Sequence, residues 1–427
     1  MVLFRHPFSS YSFSLHLQAF GKHNRRFMKG LLEMPAIARI EELAPEFAAI
    51  RRQFHEYPEL SNQEFKTAEK IANYLKSWGI EVHTGIGITG VVGVLKNGNG
   101  TKRIALRADM DALPVTEANH FAHASKNVGV MHACGHDGHI TGLLLAARYL
   151  AETKNFNGTV EFLFQPGEEG GFGAQHMIAD GLMENFPADF YLGCHNWPET
   201  PAMKIGINKT AMMASGNVFR IDIKGRGSHG AMPNLSIDPI FTAIQICQAL
   251  QGIVTRMKRP LDPAVLSICK IEAGTAYNVV PDTASICGTV RTFDNKVTDL
   301  FEEQMGKIST EVAKAFGATA TLTFTRQYSP VKNTHECVDR VQEAVRELYG
   351  EETLHDQEPV MPSEDFADYL EKCPGAFFFV GSGDGSHREA GHGDGPCLLH
   401  NSSYDYNDAC LPMAASVFAR VTENYLK

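Results

Sequence analysis

Hydrophobic positions in the first half of the chain follow two periodicities. Apolar residues at helical spacing predict helices, and these cover 35–56, 65–78 and 141–150. Short apolar runs predict buried strands at 91–95, 104–108, 160–164 and 191–193. Strands that alternate with helices are typical of an α/β sheet.

The pattern changes near residue 215. From there the order is strand, helix, two strands, helix and strand, in the segments 218–223, 239–257, 265–271, 284–293, 297–316 and 319–324. This β-α-β-β-α-β order predicts a ferredoxin-like α+β unit, and about 110 residues are enough for a domain. Helices and a strand then resume, at 336–349, 366–372, 376–380 and 411–425. We therefore predict a larger α/β domain formed by 34–214 and 329–427, with a smaller domain, 215–328, inserted into it.

Composition narrows the class of protein. The 427 residues are 44% hydrophobic and 21% charged, which is ordinary for a globular chain. A net charge of −10 argues against a nucleic-acid partner, and the lack of an 18-residue apolar run argues against a membrane-spanning helix. Nine cysteines at irregular spacing indicate reduced thiols and a cytoplasmic location rather than a disulfide framework.

The first 33 residues differ from the rest, since they are basic and contain no acid before Glu33. Such a segment is typical of a transit peptide. The alternative, which we favour, is a disordered start-site extension, with Met28 or Met34 as the working start. We exclude 1–33 from the argument about the fold.

Candidate metal chemistry concentrates in segment 132–139. Cys134 and His136 stand two residues apart across a glycine, and both are good ligands for a borderline-soft divalent ion. His195 ends a short apolar run and His400 follows a glycine-rich loop, and either one alone is as readily an ordinary histidine. Together with Glu169 these residues form a set that is hard to explain without a metal.

Paired carboxylates supply candidate acid–base chemistry. Glu168 and Glu169 follow the run 160–164 and lie between glycines, and a solvated loop is the alternative. Because adjacent side chains point in different directions, one can bind a metal while the other serves as general base and acid. Asp109 and Asp111 end another run, where they either orient ligand imidazoles or cap a turn.

The inserted domain and a late loop hold further polar candidates. His229 is flanked by small residues, Asn278 precedes a Val-Val-Pro run, and Arg291 lies on a predicted strand. Arginine can bind a carboxylate with two hydrogen bonds. The alternatives are a loop histidine and a surface ion pair. Segment 381–395 is rich in Gly, Asp and His, which predicts a flexible loop, with a metal-binding tract as the alternative.

These motifs together resemble the aminoacylase/carboxypeptidase superfamily of dinuclear-metal amidohydrolases. Within it, the chain is most similar to the branch of hippurate hydrolases and auxin-amino-acid hydrolases. The resemblance runs from about Ala36 to the C-terminus. Its ordered motifs lie at 51–64, 107–114, 134–137, 167–169, 227–230, 278–281, 288–291 and 363–366.

The resemblance implies a role for each candidate. Two divalent ions, chosen from Zn, Mn, Co or Ni, would be bound by Cys134, His136, Glu169, His195 and His400. Cys134 would bridge them, and Glu168 would be the general base. The inserted domain would be a lid through which a homodimer or homotetramer forms. From it, His229 would reach the active site of the partner subunit, and Asn278 and Arg291 would grip the substrate carboxylate.

The expected activity is hydrolysis of N-acyl amino acids, such as hippurate-like conjugates, to a carboxylic acid and a free amino acid. A carboxypeptidase, a dipeptidase or an N-acetyl-amino-acid deacetylase would use the same ligands. A non-catalytic binder of amino-acid conjugates is the alternative of another class, and Glu168 argues against it, because a binder needs no base. The chain departs from the family in segment 401–404, which lacks the proline that relatives often carry. We expect this difference to affect only the local shape of the pocket.

Overall fold

A computed structural model describes residues 37–427, so the predicted extension 1–33 lies outside the described part of the chain. Its helices are α1 (Ala38–His55), α2 (Phe65–Ser77), α3 (His136–Thr153), α4 (Gly173–Ala179), α5 (Leu182–Asn185), α6 (Pro239–Gly252), α7 (Asn295–Ala315), α8 (His335–Tyr349), α9 (Phe366–Leu370) and α10 (Cys410–Tyr425). Its strands are β1 (Glu81–Ile86), β2 (Gly90–Asn97), β3 (Arg103–Asp109), β4 (Gly158–Gln165), β5 (Phe190–Trp197), β6 (Ile205–Ile207), β7 (Ala211–Met213), β8 (Gly216–Lys224), β9 (Ser228–His229), β10 (Ala264–Ala273), β11 (Val279–Val280), β12 (Thr283–Thr292), β13 (Thr319–Tyr328), β14 (Val331–Lys332), β15 (Leu354–Asp356) and β16 (Gly375–Gly381).

The larger sheet has eight strands in the order β1-β2-β4-β3-β5-β16-β6-β15. Its central strands, β4, β3, β5 and β16, run parallel to one another. They are buried on both faces, which explains why they read as continuous apolar runs in the sequence. Helices α1, α3, α8 and α10 contribute to the core on one face, and α4, α5 and α9 to the core on the other.

A second sheet lies within the predicted insertion. Its four antiparallel strands take the order β10-β12-β8-β13, and α6 and α7 pack on it around Phe219, Ile246 and Phe301. Numbered within the unit, that order is 2-3-1-4. Aspartate side chains cap both helices, Asp238 at α6 and Asp294 at α7. The prediction of an α/β fold with a ferredoxin-like α+β unit is therefore confirmed.

Besides short elements that were not predicted, three differences from the predicted elements stand out. Strand β1 was not predicted, because this edge strand is largely exposed and shows no alternation. Helix α3 begins at His136, five residues before the predicted start, so a candidate ligand opens the helix. The regular α-helix α6 ends at Gly252, five residues before the predicted end, and continues to Met257 as a π turn.

Two further observations concern membrane spans and cysteines. Within 37–427, no helix is both long and apolar enough to cross a membrane. All nine cysteines lie in this part of the chain and all are free thiols.

Candidate metal centre and active site

The candidate site lies at the carboxyl ends of the parallel strands, where α/β sheets commonly bind ligands. Asp109 ends β3, Glu168 and Glu169 follow β4, and His195 is part of β5. The N-terminus of α3 brings His136 to the same edge, after Gly135 at φ 89°. Any side chain at 135 would collide with Asn196, because a Cβ there would lie 2.4 Å from its Oδ1 atom. The glycine of the Cys-Gly-His segment is thus required by the packing.

The five predicted metal ligands form one continuous cluster. The donor atoms of Cys134, His136 and Glu169 all lie within 4.8 Å of one another. At one end, His195 Nε2 is 3.3 Å from the Cys134 thiol sulfur. At the other, His400 Nε2 is 3.1 Å from Glu169 Oε1. The structure therefore brings all five residues together, with Cys134 in the interior of the set.

Hydrogen bonds present the histidine nitrogens in the form that a metal needs. His136 Nδ1 donates to Asp111 Oδ1 at 3.2 Å, and His195 Nδ1 donates to the Asn196 carbonyl at 2.6 Å. Each bond engages Nδ1 and directs Nε2 into the cluster, where it can bind a metal ion once it is deprotonated. His136 Nε2 is buried and makes no hydrogen bond with any residue of the described chain. A bound cation would satisfy this atom, so the residues fit a metal site.

The backbone of His400 supports the same interpretation. Its φ of 64° lies in the left-handed region, which residues other than glycine rarely adopt. Such conformations concentrate at functional sites, where the surrounding structure compensates for their cost. Here the His400 amide donates to the Ala133 carbonyl at 2.8 Å, which ties this late loop to the segment of Cys134.

The two candidate orienting aspartates make different contacts. Asp111 Oδ1 accepts from His136 and from the Glu168 amide at 3.1 Å. Asp111 Oδ2 accepts from Ser61 Oγ at 2.6 Å and from the Glu169 amide at 3.0 Å. This one carboxylate therefore fixes a candidate ligand and the loop of both glutamates. Asp109 instead accepts from His139 Nδ1 at 2.6 Å, and its other oxygen lies 3.7 Å from His136 Nε2.

The electrostatics of the cluster are dominated by carboxylates. Burial raises the pKa of Glu168 well above its usual range, and Glu364 and Glu169 raise it further. Burial alone would lower the pKa of His136, but Asp109 and Asp111 raise it to about 10. Both shifts show that the site lacks positive charge, which divalent ions would supply.

Sequence reasoning gave no role to His139. It lies three residues after His136 on α3, so the two imidazoles stack with centroids 5.3 Å apart. A second group close enough to hold an ion comprises Asp109, His136, His139 and His195. However, Asp109 and the Asn196 amide already occupy both ring nitrogens of His139. The three-residue spacing between His136 and His139, which places both on one face of a helix, could have indicated that His139 lies beside the site.

Sequence reasoning also missed the buried ion-pair network of Arg107. Its guanidinium contacts Asp109 at 2.8 Å, Glu364 at 2.9 Å and Asp365 at 3.0 Å. Carboxylate oxygens of Glu364 and Asp365 come within 4.8 Å of that of Glu168. The sequence pattern around Arg107 does not indicate that it contacts Glu364 and Asp365, which lie more than 250 positions away. Segments 107–114 and 363–366 nevertheless both belong to the motifs that carry the family resemblance.

A pocket of about 400 Å³ opens beside the cluster. It is lined by Cys134, Glu168, Glu169, His195, Trp197, Pro198, Glu199, Met213, Pro362, Ser363, Glu364, Leu398, Leu399 and His400. Four of the five predicted ligands and the predicted base therefore share one wall of a cavity that is large enough for a small substrate.

The glycine-rich loop before His400 is tied to the domain, unlike the flexible loop that its composition predicts. His392 Nε2 lies 3.1 Å from Asp405 Oδ2, and Arg388 Nη1 donates to the Gly395 carbonyl at 3.0 Å. Among the described residues, none of the groups close enough to hold a metal contains a histidine of this loop. These hydrogen bonds connect the loop to the segment of Asp405, and the loop precedes the pocket residues Leu398, Leu399 and His400.

The three candidates in the inserted domain lie apart from this pocket. His229 and Asn278 are exposed neighbours, since β9 pairs with β11 and the Gly230 amide donates to the Asn278 carbonyl at 2.7 Å. Arg291 is half-buried on β12, and its Nη1 atom makes no hydrogen bond within residues 37–427. None of the three lines the pocket of its own chain, so their roles stay predictions.

The chain is similar to a known protein family, to curated proteins and to solved structures. Residues 105–424 match the model of peptidase family M20/M25/M40. A hippurate hydrolase from Campylobacter jejuni is 44% identical over 395 residues, which cover 92% of this chain and 100% of the relative. The IAA-amino acid hydrolase ILR1-like 2 of Arabidopsis thaliana is 37% identical over 88% of this chain and 84% of its own length. The crystal structure of Bacillus subtilis YXEP, a dinuclear metal-binding peptidase of the M20 family, is 33% identical, with a TM-score of 0.78, and covers 90% of this chain and 99% of its own. The chain belongs to peptidase family M20/M25/M40, which confirms the resemblance seen in its motifs.

Proposed function

We propose that this protein hydrolyses the amide bond of N-acyl amino acids and releases a carboxylic acid and a free amino acid. The observation that carries the proposal is a buried glutamate, Glu168, that lines the same pocket as four of the five candidate metal ligands. The similarity to enzymes named for hippurate and for an IAA–amino acid conjugate supports this substrate class.

The ligand cluster is assigned to two divalent metal ions. Cys134 lies between His195 on one side and His136 and Glu169 on the other, which suits a bridging ligand. His400 completes the set through its contact with Glu169. When bound, such ions lower the pKa of a water molecule and polarise the amide carbonyl. The mixed sulfur, nitrogen and oxygen donors suit Zn²⁺, Mn²⁺, Co²⁺ or Ni²⁺.

Glu168 is assigned as the general base and acid. Its backbone is held at both ends, since its amide donates to Asp111 and its carbonyl accepts from Tyr328 Oη at 3.1 Å. The main chain that carries this buried carboxylate is therefore held in place beside the pocket. From there it takes a proton from the attacking water and gives it to the departing amine nitrogen.

The inserted domain is assigned to substrate capture in a homodimer. His229 and Asn278 form an exposed pair, and the free Arg291 Nη1 atom offers a donor for a carboxylate. Because none of them lines the pocket of its own chain, we assign the missing oxyanion donor to His229 of the partner subunit. Loss of one such donor costs about 3 kcal/mol of transition-state stabilisation.

The decisive variant is Glu168→Gln, which keeps the shape of the side chain and removes the base. Turnover of N-benzoylglycine by protein loaded with Zn²⁺ or Mn²⁺ should fall about 10²–10⁴-fold. The bound metal, measured on the same sample, should stay at two ions per chain. Glu358→Gln, at an exposed position outside the pocket, is the matched control.

Near-wild-type turnover of Glu168→Gln would overturn the assignment of the base. A panel with a dipeptide and N-acetylmethionine separates a dipeptidase and a deacetylase from a hydrolase of larger acyl groups. Metal-loaded wild-type protein that binds these conjugates without cleaving any of them would be a binder, and the proposed function would then be wrong.

A further inference from the structure

The pocket has a second wall, outside the ligand cluster, that bears on which acyl group it accepts. We propose that this wall is a subsite for an uncharged, apolar acyl group and that it excludes acyl groups that carry a carboxylate of their own. This inference rests on the proposed function and names the substrate class within it.

Apolar side chains from separate parts of the fold form this acyl wall, namely Trp197, Met213, Pro362, Leu398 and Leu399. Trp197 ends β5, where its indole stacks on Phe379 with ring centroids 4.4 Å apart and an interplanar angle of 9°. Met213 is 3% exposed. Because its indole is stacked, Trp197 is fixed in orientation. Together with the buried Met213 it offers a rigid surface on which a flat or branched apolar group can pack.

The loop that carries Leu398 and Leu399 is fixed before any ligand arrives. The loop contacts Asp405, as described above, and its Gly393 amide donates to Asn119 Oδ1 at 3.0 Å. The His120 amide donates to the Gly391 carbonyl at 2.6 Å. Because these bonds order the loop, little conformational entropy is lost when an acyl group enters.

The charge of the pocket argues against an acidic acyl group. No lysine or arginine is among the described residues that line it, whereas Glu199 and Glu364 do so. Arg107, which contacts the pocket residue Glu364, is buried and already contacts three carboxylates. A second carboxylate at the far end of the acyl group would therefore lose its hydration without gaining a lysine or arginine partner, and the exposed Glu199 lines the same pocket.

The test compares substrates that differ only at the far end of the acyl group. These are N-benzoylglycine and N-(4-carboxybenzoyl)glycine, with N-acetylglycine as a small neutral reference. For the metal-loaded enzyme, kcat/KM should be about 100-fold higher for the benzoyl substrate than for its carboxylated analogue. Glu199→Lys should lower the ratio of the two kcat/KM values, benzoyl to carboxybenzoyl, about tenfold. Glu358→Gln, the surface control, should leave this ratio unchanged.

Leu398→Ala tests the apolar part of the wall. Leu398 is 47% exposed, so its truncation should not unfold the protein. It should lower the ratio of benzoyl to acetyl turnover about three- to tenfold, because a benzoyl group loses a packing surface that an acetyl group is too small to use.

A binding readout makes the test independent of turnover. The chain has two tryptophans, and Trp78 packs on Tyr74 and Phe47, whereas Trp197 lines the pocket. Trp78→Phe therefore leaves Trp197 as the sole indole reporter. Benzoate should change its fluorescence in a saturable way, and benzene-1,4-dicarboxylate should bind at least tenfold more weakly.

The outcomes separate the two proposals. Similar kcat/KM for the benzoyl and carboxybenzoyl substrates, or equal affinity for the two acids, would overturn the subsite and leave the proposed function standing. Failure to hydrolyse any of the three substrates would overturn the proposed function, while the fluorescence titration would still decide whether the wall rejects a second carboxylate.

Discussion

Asp111→Asn is the most informative single change that the site offers. The two Asp111 oxygens accept four hydrogen bonds, from His136 Nδ1, Ser61 Oγ and the backbone amides of Glu168 and Glu169. An asparagine keeps the size of the side chain but has one acceptor oxygen and one donor nitrogen. The substitution therefore removes a charge and half of the acceptor capacity without creating a cavity.

The magnitude follows from where the new amide nitrogen is placed. At the Oδ2 position it can donate to the Ser61 hydroxyl, which leaves one buried donor, the Glu169 amide, without a partner. Such a donor costs about 1–3 kcal/mol, and the bond to His136 loses its charge assistance, which is worth about 1–2 kcal/mol more. We expect the free energy of unfolding to fall by about 2–5 kcal/mol. We also expect a 10- to 100-fold loss of metal affinity, since His136 and Glu169 lose their support.

Urea unfolding of the metal-free protein measures the first quantity, and competition with a chromophoric chelator measures the second. Ser61→Ala is the matched control, because it removes one neutral donor and leaves three donors to the Asp111 carboxylate. It should cost about 1 kcal/mol and change metal affinity less than threefold. Metal binding by Asp111→Asn that equals that of Ser61→Ala would refute the reasoning that this carboxylate orients the ligands.

Three further predictions test other parts of the structure. Arg107→Met leaves three buried carboxylates facing one another and should lower the free energy of unfolding by about 3–5 kcal/mol in urea, and a loss below 1 kcal/mol would contradict it. Burial raises the pKa of Glu161 from 4.5 to about 7, so the folded state holds this proton more tightly than the unfolded chain and stability falls as pH rises from about 4.5 to about 7. Glu161→Gln should remove up to about 3 kcal/mol of this loss of stability between pH 5 and 8, whereas Glu303→Gln, at an exposed position, should leave it unchanged. If the stability of Glu161→Gln depends on pH as that of the wild type does, the pKa of Glu161 is not raised in the folded state. His229→Ala should lower turnover about 10²–10³-fold, and mixing it with Glu168→Gln should restore activity in heterodimers, an effect that will be absent if His229 acts within its own chain.

Much of the fold was predictable because its elements differ in periodicity. The buried parallel strands appear as short apolar runs, and the strands of the inserted domain alternate, as β8 does from Val218 to Lys224. Edge strand β1 escaped prediction, since its two faces are similarly exposed and no apolar stripe marks it. Strands of two or three residues, such as β9 and β14, are too short to carry a period.

The candidate ligands were predictable for a related reason. Cys134, His136, Glu169 and His195 lie in or near the end of an apolar run or the start of a helix, and parallel strands place such ends at one edge of the sheet. His400 lies in a loop, and only its occurrence together with the other four made it a candidate. The supporting contacts were not predictable, because they join residues far apart in sequence. Arg107 and Glu364 are separated by 257 positions, and Asp111 contacts Ser61 across 50. The composition of loop 381–395 was misleading for the same reason, since its hydrogen bonds to Asn119 and Asp405 fix it in place.

The distribution of charge connects the fold to its chemistry. Six carboxylates converge on the site, namely Asp109, Asp111, Glu168, Glu169, Glu364 and Asp365. Within residues 37–427, Arg107 forms the ion pairs between arginine and this group. Arg107 contacts three of the six, and the partial positive charge at the N-terminus of α3 lies beside His136. The remaining negative charge is costly in a buried site, so the binding of divalent cations and the stability of this edge of the sheet are coupled. Divalent ions would offset the carboxylates of the ligand cluster, but Glu199 lines the pocket outside that cluster and no lysine or arginine is among the described lining residues. This separate negative charge is the feature by which we propose that the pocket excludes an acidic acyl group.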